Sequence, residues 1–236
     1  MTIVIGTTLA AFAMSEDDAW QSWLKHHERQ IHSHPAGVQH FAALQVDARG
    51  IDPFAPLIER LEQIGGQYWT YSLDDGRTTV TMTNRWRHIT FGQNLVVEYC
   101  QSRPEVSHLL FLAADCAAPS DIIPRMLEME HPLCAPYITT YGLRGPAVDG
   151  YPEEWGVEDA MASAAALFIA RSVFRRIRWR WDLDSQMSDD PCYHHDAKTL
   201  LGVPTYVRHD VLAKHYPESI GAYDTRFDAA TLEVQR

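Results

Sequence analysis

Ser107-His-Leu-Leu-Phe-Leu-Ala-Ala-Asp115-Cys-Ala-Ala-Pro119 is an apolar run that stops on a single acid. Its length and composition predict a buried strand over residues 108–113, with Asp115 just past the C-terminal end. Ligands of open α/β sheets bind at that end of the strands. The stretch therefore fixes both a fold and a place for chemistry. Two further elements follow downstream: an acidic one, Ser188-Asp-Asp-Pro191, and a histidine-bearing tail, Tyr206-Val-Arg-His-Asp210-Val-Leu-Ala-Lys-His215. A strand-end carboxylate, a loop carboxylate and an imidazole are the groups that hold a divalent metal and set a base beside it.

Outward from this stretch, strands and helices alternate. Thr2-Ile-Val-Ile-Gly-Thr-Thr-Leu-Ala-Ala-Phe-Ala13 is apolar and ends in an A-x-A pattern, yet no positive charge precedes the apolar run. It therefore reads as a first strand and not as a signal peptide. Ser15-Glu-Asp-Asp18 predicts a helix start. A strand over Phe41–Val46 is expected, then a helix from Pro53 to Ile64 closed by Gly65-Gly66. Segments 68–73 and 78–83 flank Asp74-Asp-Gly76 like two strands about a turn. A helix is expected to start at Gly92, and another at Ser120-Asp121. Strands are expected over residues 133–140 and 164–170, separated by a loop-rich stretch from Gly142 to Trp155. The alternation predicts a single α/β domain over residues 1–236, with a mostly parallel twisted sheet and helices on both faces.

The chain has 236 residues, 46% of them hydrophobic and 22% charged, ordinary values for a globular protein with a sizeable core. A formal net charge of −11 argues against nucleic-acid binding by the whole surface, though not by a local basic patch. Cys100, Cys116, Cys134 and Cys192 lack metal-like spacing and read as reduced, buried thiols of a cytoplasmic protein. No segment has the length and apolarity of a membrane span.

The strand-end segment Phe111-Leu-Ala-Ala-Asp-Cys, followed by Pro119 and a helix, resembles the D-x-D segment of GT-A glycosyltransferases, in particular the family 2-like enzymes. Ala164-Ala-Ala-Leu-Phe-Ile-Ala-Arg-Ser-Val-Phe174 is similar to their strand leading into the acceptor-side helix. Ser188-Asp-Asp190 stands where they carry an acidic pair with the catalytic base. Gly202-Val-Pro-Thr-Tyr-Val207, then His215, is similar to their last strand and metal-facing histidine. The likeness covers the C-terminal half and reaches the N-terminal half only as strand–helix rhythm. One departure stands out, because Ala113 occupies the position of the first acid of D-x-D. Asp47, or an acid of the Asp74-Asp75 turn, is a candidate replacement.

The resemblance implies a metal-dependent transfer of a sugar from a UDP- or GDP-linked donor to an acceptor hydroxyl, and a single base, with attack opposite the leaving group, predicts inversion at the anomeric carbon. Residues 1–115 would bind the nucleotide-sugar and residues 116–236 the acceptor. It assigns Mn²⁺ or Mg²⁺ to Asp115 and His215, with His209 as a fallback ligand, and the base to Asp190 with Asp189 beside it. Thr7, Thr8, Asp47, Arg87, Asn94 and Ala113 are the expected donor contacts. A cation neutralises the leaving diphosphate, and a carboxylate that takes the acceptor proton is worth roughly 10²- to 10⁴-fold. The same residues have plainer roles open to them, Asp115 as a helix cap and Asp189-Asp190 as a helix start. His26, His27, His32 and His34 read as a solvated helix end.

Arg171, Arg175, Arg176, Arg178 and Arg180 alternate with Phe174, Trp179 and Trp181. Such a run can seat a polyanion, with guanidiniums on phosphates and indoles against bases. Arg175, Arg176, Arg178 and Trp181 are the expected acceptor contacts. The same run has a plainer role open to it, a solvated helix face that balances the acidic surface. Because small enzymes of this kind without a membrane anchor include phage proteins that decorate hydroxymethylated bases, DNA is the preferred acceptor, with glycan and small-molecule acceptors left open. The location would then be the host cytoplasm. Two other classes fit the same features: a nucleotidyltransferase, and a non-catalytic domain that binds nucleotide-sugar or nucleic acid. For the first, Gly6-Thr-Thr8 is a sparse phosphate loop.

Overall fold

Strand β1, Thr2–Ala10, is flanked on both sides by parallel neighbours. Its alternation explains its position. Ile3 and Ile5 face one side of the sheet and Val4 the other, all of them fully buried, as a strand covered on both faces requires. The computed structural model describes residues 1–10, 37–46, 50–73, 82–113, 116–140, 157–158, 165–182 and 189–215.

After β1 come β2 (Val38–Gln45), helix α1 (Ala55–Gln63) behind a short 3-10 turn, and β3 (Gln67–Tyr71). Next are α2 (Met82–Gln101), β4 (Val106–Leu112), β5 (Cys116–Ala117), α3 (Ile122–Glu128) and β6 (Leu133–Thr140). The chain continues with β7 (Val157–Glu158), β8 (Ala166–Ala170), α4 (Arg171–Phe174), α5 (Asp189–Leu201) and β9 (Tyr206–His215). Among the described residues these strands form one sheet in the order β3-β2-β1-β4-β8-β6-β9-β5, with β7 paired to β9.

The sheet is mixed. Strands β1 to β4 are parallel to one another, as the alternation predicts, and β6 is parallel to β9. Strand β8, inserted between β4 and β6, is antiparallel to both, and β5 and β7 are antiparallel to β9. Helices α2, α4 and α5 cover one face through Val96, Val97, Phe174, Tyr193 and Ala197. Helix α3 packs on the other through Ile122, Ile123 and Met126. Helix α1 covers the β1–β2 corner with Leu57 and Leu61. Each fully buried side chain of this size removes about 1.5–3 kcal/mol worth of apolar surface from water.

Three local expectations are corrected. Helix α2 begins at Met82, so Gly92 lies inside it and Thr83 is helical; Tyr68 to Tyr71 pairs in parallel with β2, while the expected hairpin turn and residues 78–81 lie outside the described residues. The glycine there serves contact. A Cβ on Gly92 would lie 2.6 Å from Tyr71 Oη and 2.8 Å from Thr8 Cγ2, and one on Gly6 would lie 2.3 Å from Val96 Cγ1. These two glycines let α2 lie directly against β1. Asp189 and Asp190 do not lie in a loop; they form the first turn of α5, the helix start that is the plainer role open to them, where carboxylates complement the helix N-terminus. Asp121 sits at the N-cap of α3 but makes no cap bond; its carboxylate pairs with Arg125 at 2.7 Å.

Candidate active site at the strand ends

The strand order reverses between β1 and β4, with β2 and β3 on one side and β4 on the other, and ligands of open α/β sheets bind at the C-terminal ends beside such a switch point. Thr7 and Thr8 lie near the end of β1, on opposite faces. Thr7 is fully buried and its hydroxyl has no hydrogen-bond partner among the described residues. Thr8 meets α2 at Gly92. At the end of β2, Gln45 Nε2 lies 2.5 Å from His88 Nδ1, and Tyr71 at the end of β3 donates its hydroxyl to the His88 carbonyl at 3.1 Å.

Next along α2, Gln93 donates from Nε2 to Asp189 Oδ2 at 2.8 Å. Both side chains are buried. Asn94 makes two bonds to the Trp179 backbone, Nδ2 to its carbonyl at 2.9 Å and Oδ1 from its N–H at 3.0 Å. Trp179 in turn stacks on Tyr193 of α5, ring centroids 4.1 Å apart. Tyr193 is one turn beyond Asp189. The Gln93-Asn94 pair thus ties the acidic start of α5 to the helix that leans on β1. Burial raises the Tyr193 hydroxyl well above the ordinary tyrosine range and raises the Cys192 thiol. Neither is poised as a nucleophile.

The metal expectation meets the sheet in another place. The Cys116 N–H donates to the Ala113 carbonyl at 3.0 Å, and Ala113 donates to the Ala165 carbonyl at 2.8 Å. Antiparallel pairing then sets Cys116 opposite His215. The backbone of His215 is therefore delivered beside the residue that follows Asp115. Asp115 itself lies outside the described residues, as do Asp47, Asp74, Asp75, Ser188, His26, His27, His32 and His34, and nothing is described of the His209 and His215 side chains. Among the described residues no three His, Cys, Asp or Glu side chains form a metal-holding group.

The structure separates the other expected contacts. Arg87 is exposed on α2, and neither it nor Asn94 flanks a helix start. Asn94 is engaged with Trp179. In the basic run, Arg171 Nη1 donates to the carbonyls of Arg103 and Val106 at 2.9 and 2.8 Å. Arg180 pairs with both carboxylate oxygens of Asp196 at 2.7 and 2.8 Å. Arg178 donates to Gln101 at 2.7 Å. Arg175 and Arg176 are exposed, Trp181 is half-buried, and Phe174 and Trp179 are buried in the core. Gln93, Gln45 and His88 were not legible in sequence, since only the fold brings them to their partners.

No family model matches the chain, and no curated protein matches it by sequence. Solved structures do. Similarity to S. aureus TarS has a TM-score of 0.57 at 10% identity, over 98% of this chain and 68% of that one. Similarity to the nucleoside-diphosphate-sugar pyrophosphorylase from Vibrio cholerae RC9 has a TM-score of 0.54 at 11% identity, over 100% of both chains. For the galactosyltransferase LgtC, solved with donor and acceptor sugar analogues, the TM-score is 0.52 at 14% identity, over 98% and 94%. The chain thus has a GT-A-like α/β fold. Among the described residues no helix is long and apolar enough to cross a membrane.

Proposed function

We propose that this protein is a metal-dependent glycosyltransferase, moving a sugar with inversion from a nucleoside-diphosphate donor to an acceptor hydroxyl. One observation carries the reading. Asp189 and Asp190 start a helix whose first turn is bonded, through Gln93, to the helix seated on the end of β1. That bond supports placing the acidic start of α5 near the strand ends, where open α/β sheets bind ligands.

In this mechanism the ends of β1 and β2 hold the nucleotide, with Thr8, Gln45 and His88 lining that side. Asp190 takes the acceptor proton, while Asp189 is held in place by Gln93. A single base suits attack from the face opposite the leaving group, which inverts the anomeric carbon. The Cys116–His215 pairing supports Asp115 and His215 as holders of Mn²⁺ or Mg²⁺, an oxygen and an imidazole donor that suit such ions. When bound, the cation would neutralise charge growing on the leaving diphosphate.

A sugar nucleotidyltransferase is the second reading, because the pyrophosphorylase shares the fold. Gly6-Thr-Thr8 speaks against it. These residues pair as regular strand with Phe41 to Ala43 instead of forming a phosphate loop, and no glycine occurs between Gly6 and Gly37. The test is incubation with UDP- and GDP-sugars plus Mn²⁺, and separately with nucleoside triphosphates plus sugar phosphates. Slow donor hydrolysis supports the transferase, and pyrophosphate release supports the rival. Metal-dependent thermal stabilisation without turnover leaves a non-catalytic nucleotide-sugar binder, and neither response leaves a nucleic-acid binder. A DNA acceptor would meet Arg175 and Arg176 on the surface; Gln at both should then weaken DNA binding and flatten its salt dependence while donor hydrolysis persists.

A further inference from the structure

Strand β9 changes faces partway along. Its first part pairs Tyr206, Val207 and Arg208 with Cys134, Ala135 and Pro136; its second part pairs Leu212 to His215 with Tyr137 to Thr140. Residues 209–211 form a bulge between the two parts, with no partners on β6. The cores record the same break. Val207 packs on the face covered by α2 and α5, whereas Val211 and Ala213 pack on the opposite face with α3. In an unbroken strand, residues 207, 211 and 213 would all point one way.

At the bulge stands a buried arginine. Arg208 Nε and Nη2 donate to the two carboxylate oxygens of Asp210 at 2.7 and 3.1 Å, and Nη1 donates to Glu128 Oε2 at 2.9 Å and to the Arg125 carbonyl. Arg125 closes the circuit with a bond to the Asp210 carbonyl at 3.0 Å. Arg208 is only 5% exposed. Its bonds hold the Asp210 carboxyl below the usual carboxylate range. A bidentate arginine pair fixes geometry as well as charge, and here it ties the last paired residue before the bulge to the bulge's middle residue.

We propose that Arg208 is a register lock, a positioning residue whose grip on Asp210 and Glu128 holds the bulge and so selects His215 as the residue facing Cys116. Without the bulge, Tyr137 would pair with His209, and continuing the ladder would set Leu212 opposite Thr140. Thr140 and Cys116 both pair with His215 in the native register. The collapsed register would therefore carry Leu212 to Cys116 and push His215 three residues beyond. The link to metal binding rests on the proposed function; the lock itself does not.

The test uses the native Cys116 thiol as a reporter. Directly opposed residues of antiparallel strands have Cβ atoms about 4.5–5.5 Å apart, within reach of a short thiol cross-linker and near disulfide geometry. His215→Cys and Leu212→Cys are made separately, cross-linked to Cys116, and mapped by peptide mass spectrometry. In the otherwise native chain Cys116 should capture position 215 and not 212. Adding Arg208→Met should abolish that capture or move it to 212. Asp210→Ala, at a half-exposed carboxylate, serves the same purpose if Arg208→Met does not fold by circular dichroism. Unchanged capture at 215 in a folded variant overturns the lock, as does failure of 215 to cross-link in the native background. Mn²⁺ binding, followed by electron paramagnetic resonance, should weaken in the same variants. If the native chain binds no Mn²⁺, the metal reading falls while the cross-link still decides the register.

Discussion

Gln93 Nε2 and Asp189 Oδ2 meet at 2.8 Å across 96 residues of sequence, and both side chains are buried. The other end of the same amide, Gln93 Oε1, has no partner among the described residues. An orphaned buried acceptor is unfavourable, so the amide is oriented by what its N–H must reach. Gln93→Leu removes a charge-assisted bond and the orphan together. We expect a net loss of about 1–3 kcal/mol in urea unfolding. Asp189→Asn in the Gln93→Leu background should then cost less than it does alone, and additivity would dissolve the link.

Asp190→Asn keeps shape and polarity but cannot accept a proton. Transfer should fall by roughly 10²-fold or more. Donor affinity, measured by calorimetry, should remain, because the proposed donor contacts lie at the ends of β1 and β2. Full turnover in this variant would remove Asp190 from the chemistry.

Asp115→Ala should erase the Mn²⁺-dependent rise in melting temperature given by a nucleoside diphosphate. A shift equal to that of the unaltered protein would show that the acid after β4 holds no cation.

Gly92→Ala tests the seat of α2. The added methyl would overlap Tyr71 Oη and Thr8 Cγ2, and overpacking of this kind costs about 1–3 kcal/mol. Substituting alanine ordinarily stabilises a helix by about 1 kcal/mol. A lower melting temperature shows that contact outweighs propensity; a higher one shows that helix and strand can part at no expense.

Acid should destabilise the protein through His40. Burial lowers this imidazole from its ordinary 6.5 to about 4. The folded state therefore prefers it neutral, while the unfolded chain takes up a proton below pH 6.5. Stability is complete above that pH and is lost as pH falls toward 4, by about 3 kcal/mol from this group. Equilibrium unfolding across this range should show the slope, and His40→Leu should flatten it.

The sequence made the parallel half of the sheet legible because β1, β2 and β4 are short apolar runs bounded by turns and acids. It also pointed to Asp189 and Asp190 as a pair. It misplaced the start of α2, since Gly92 reads locally as a break and only the contact with Thr8 and Tyr71 explains it. The mixed directions were hidden because β8 enters from between β4 and β6, a long-range choice that leaves no local pattern. The arginine run looked like one surface. Arg171, Arg178 and Arg180 instead hold carbonyls, an amide and a carboxylate of the fold itself.

The place of β8 has a bearing on biosynthesis. The first four strands can assemble as soon as residue 112 has left the ribosome, yet the outer edge of β4 must wait for residues 166–170 to cover it. Until then Leu109 and Leu110 belong to an unpaired hydrophobic margin, the kind of edge that recruits other chains. Nascent chains stalled between these two points should therefore be the species that chaperones hold most tightly.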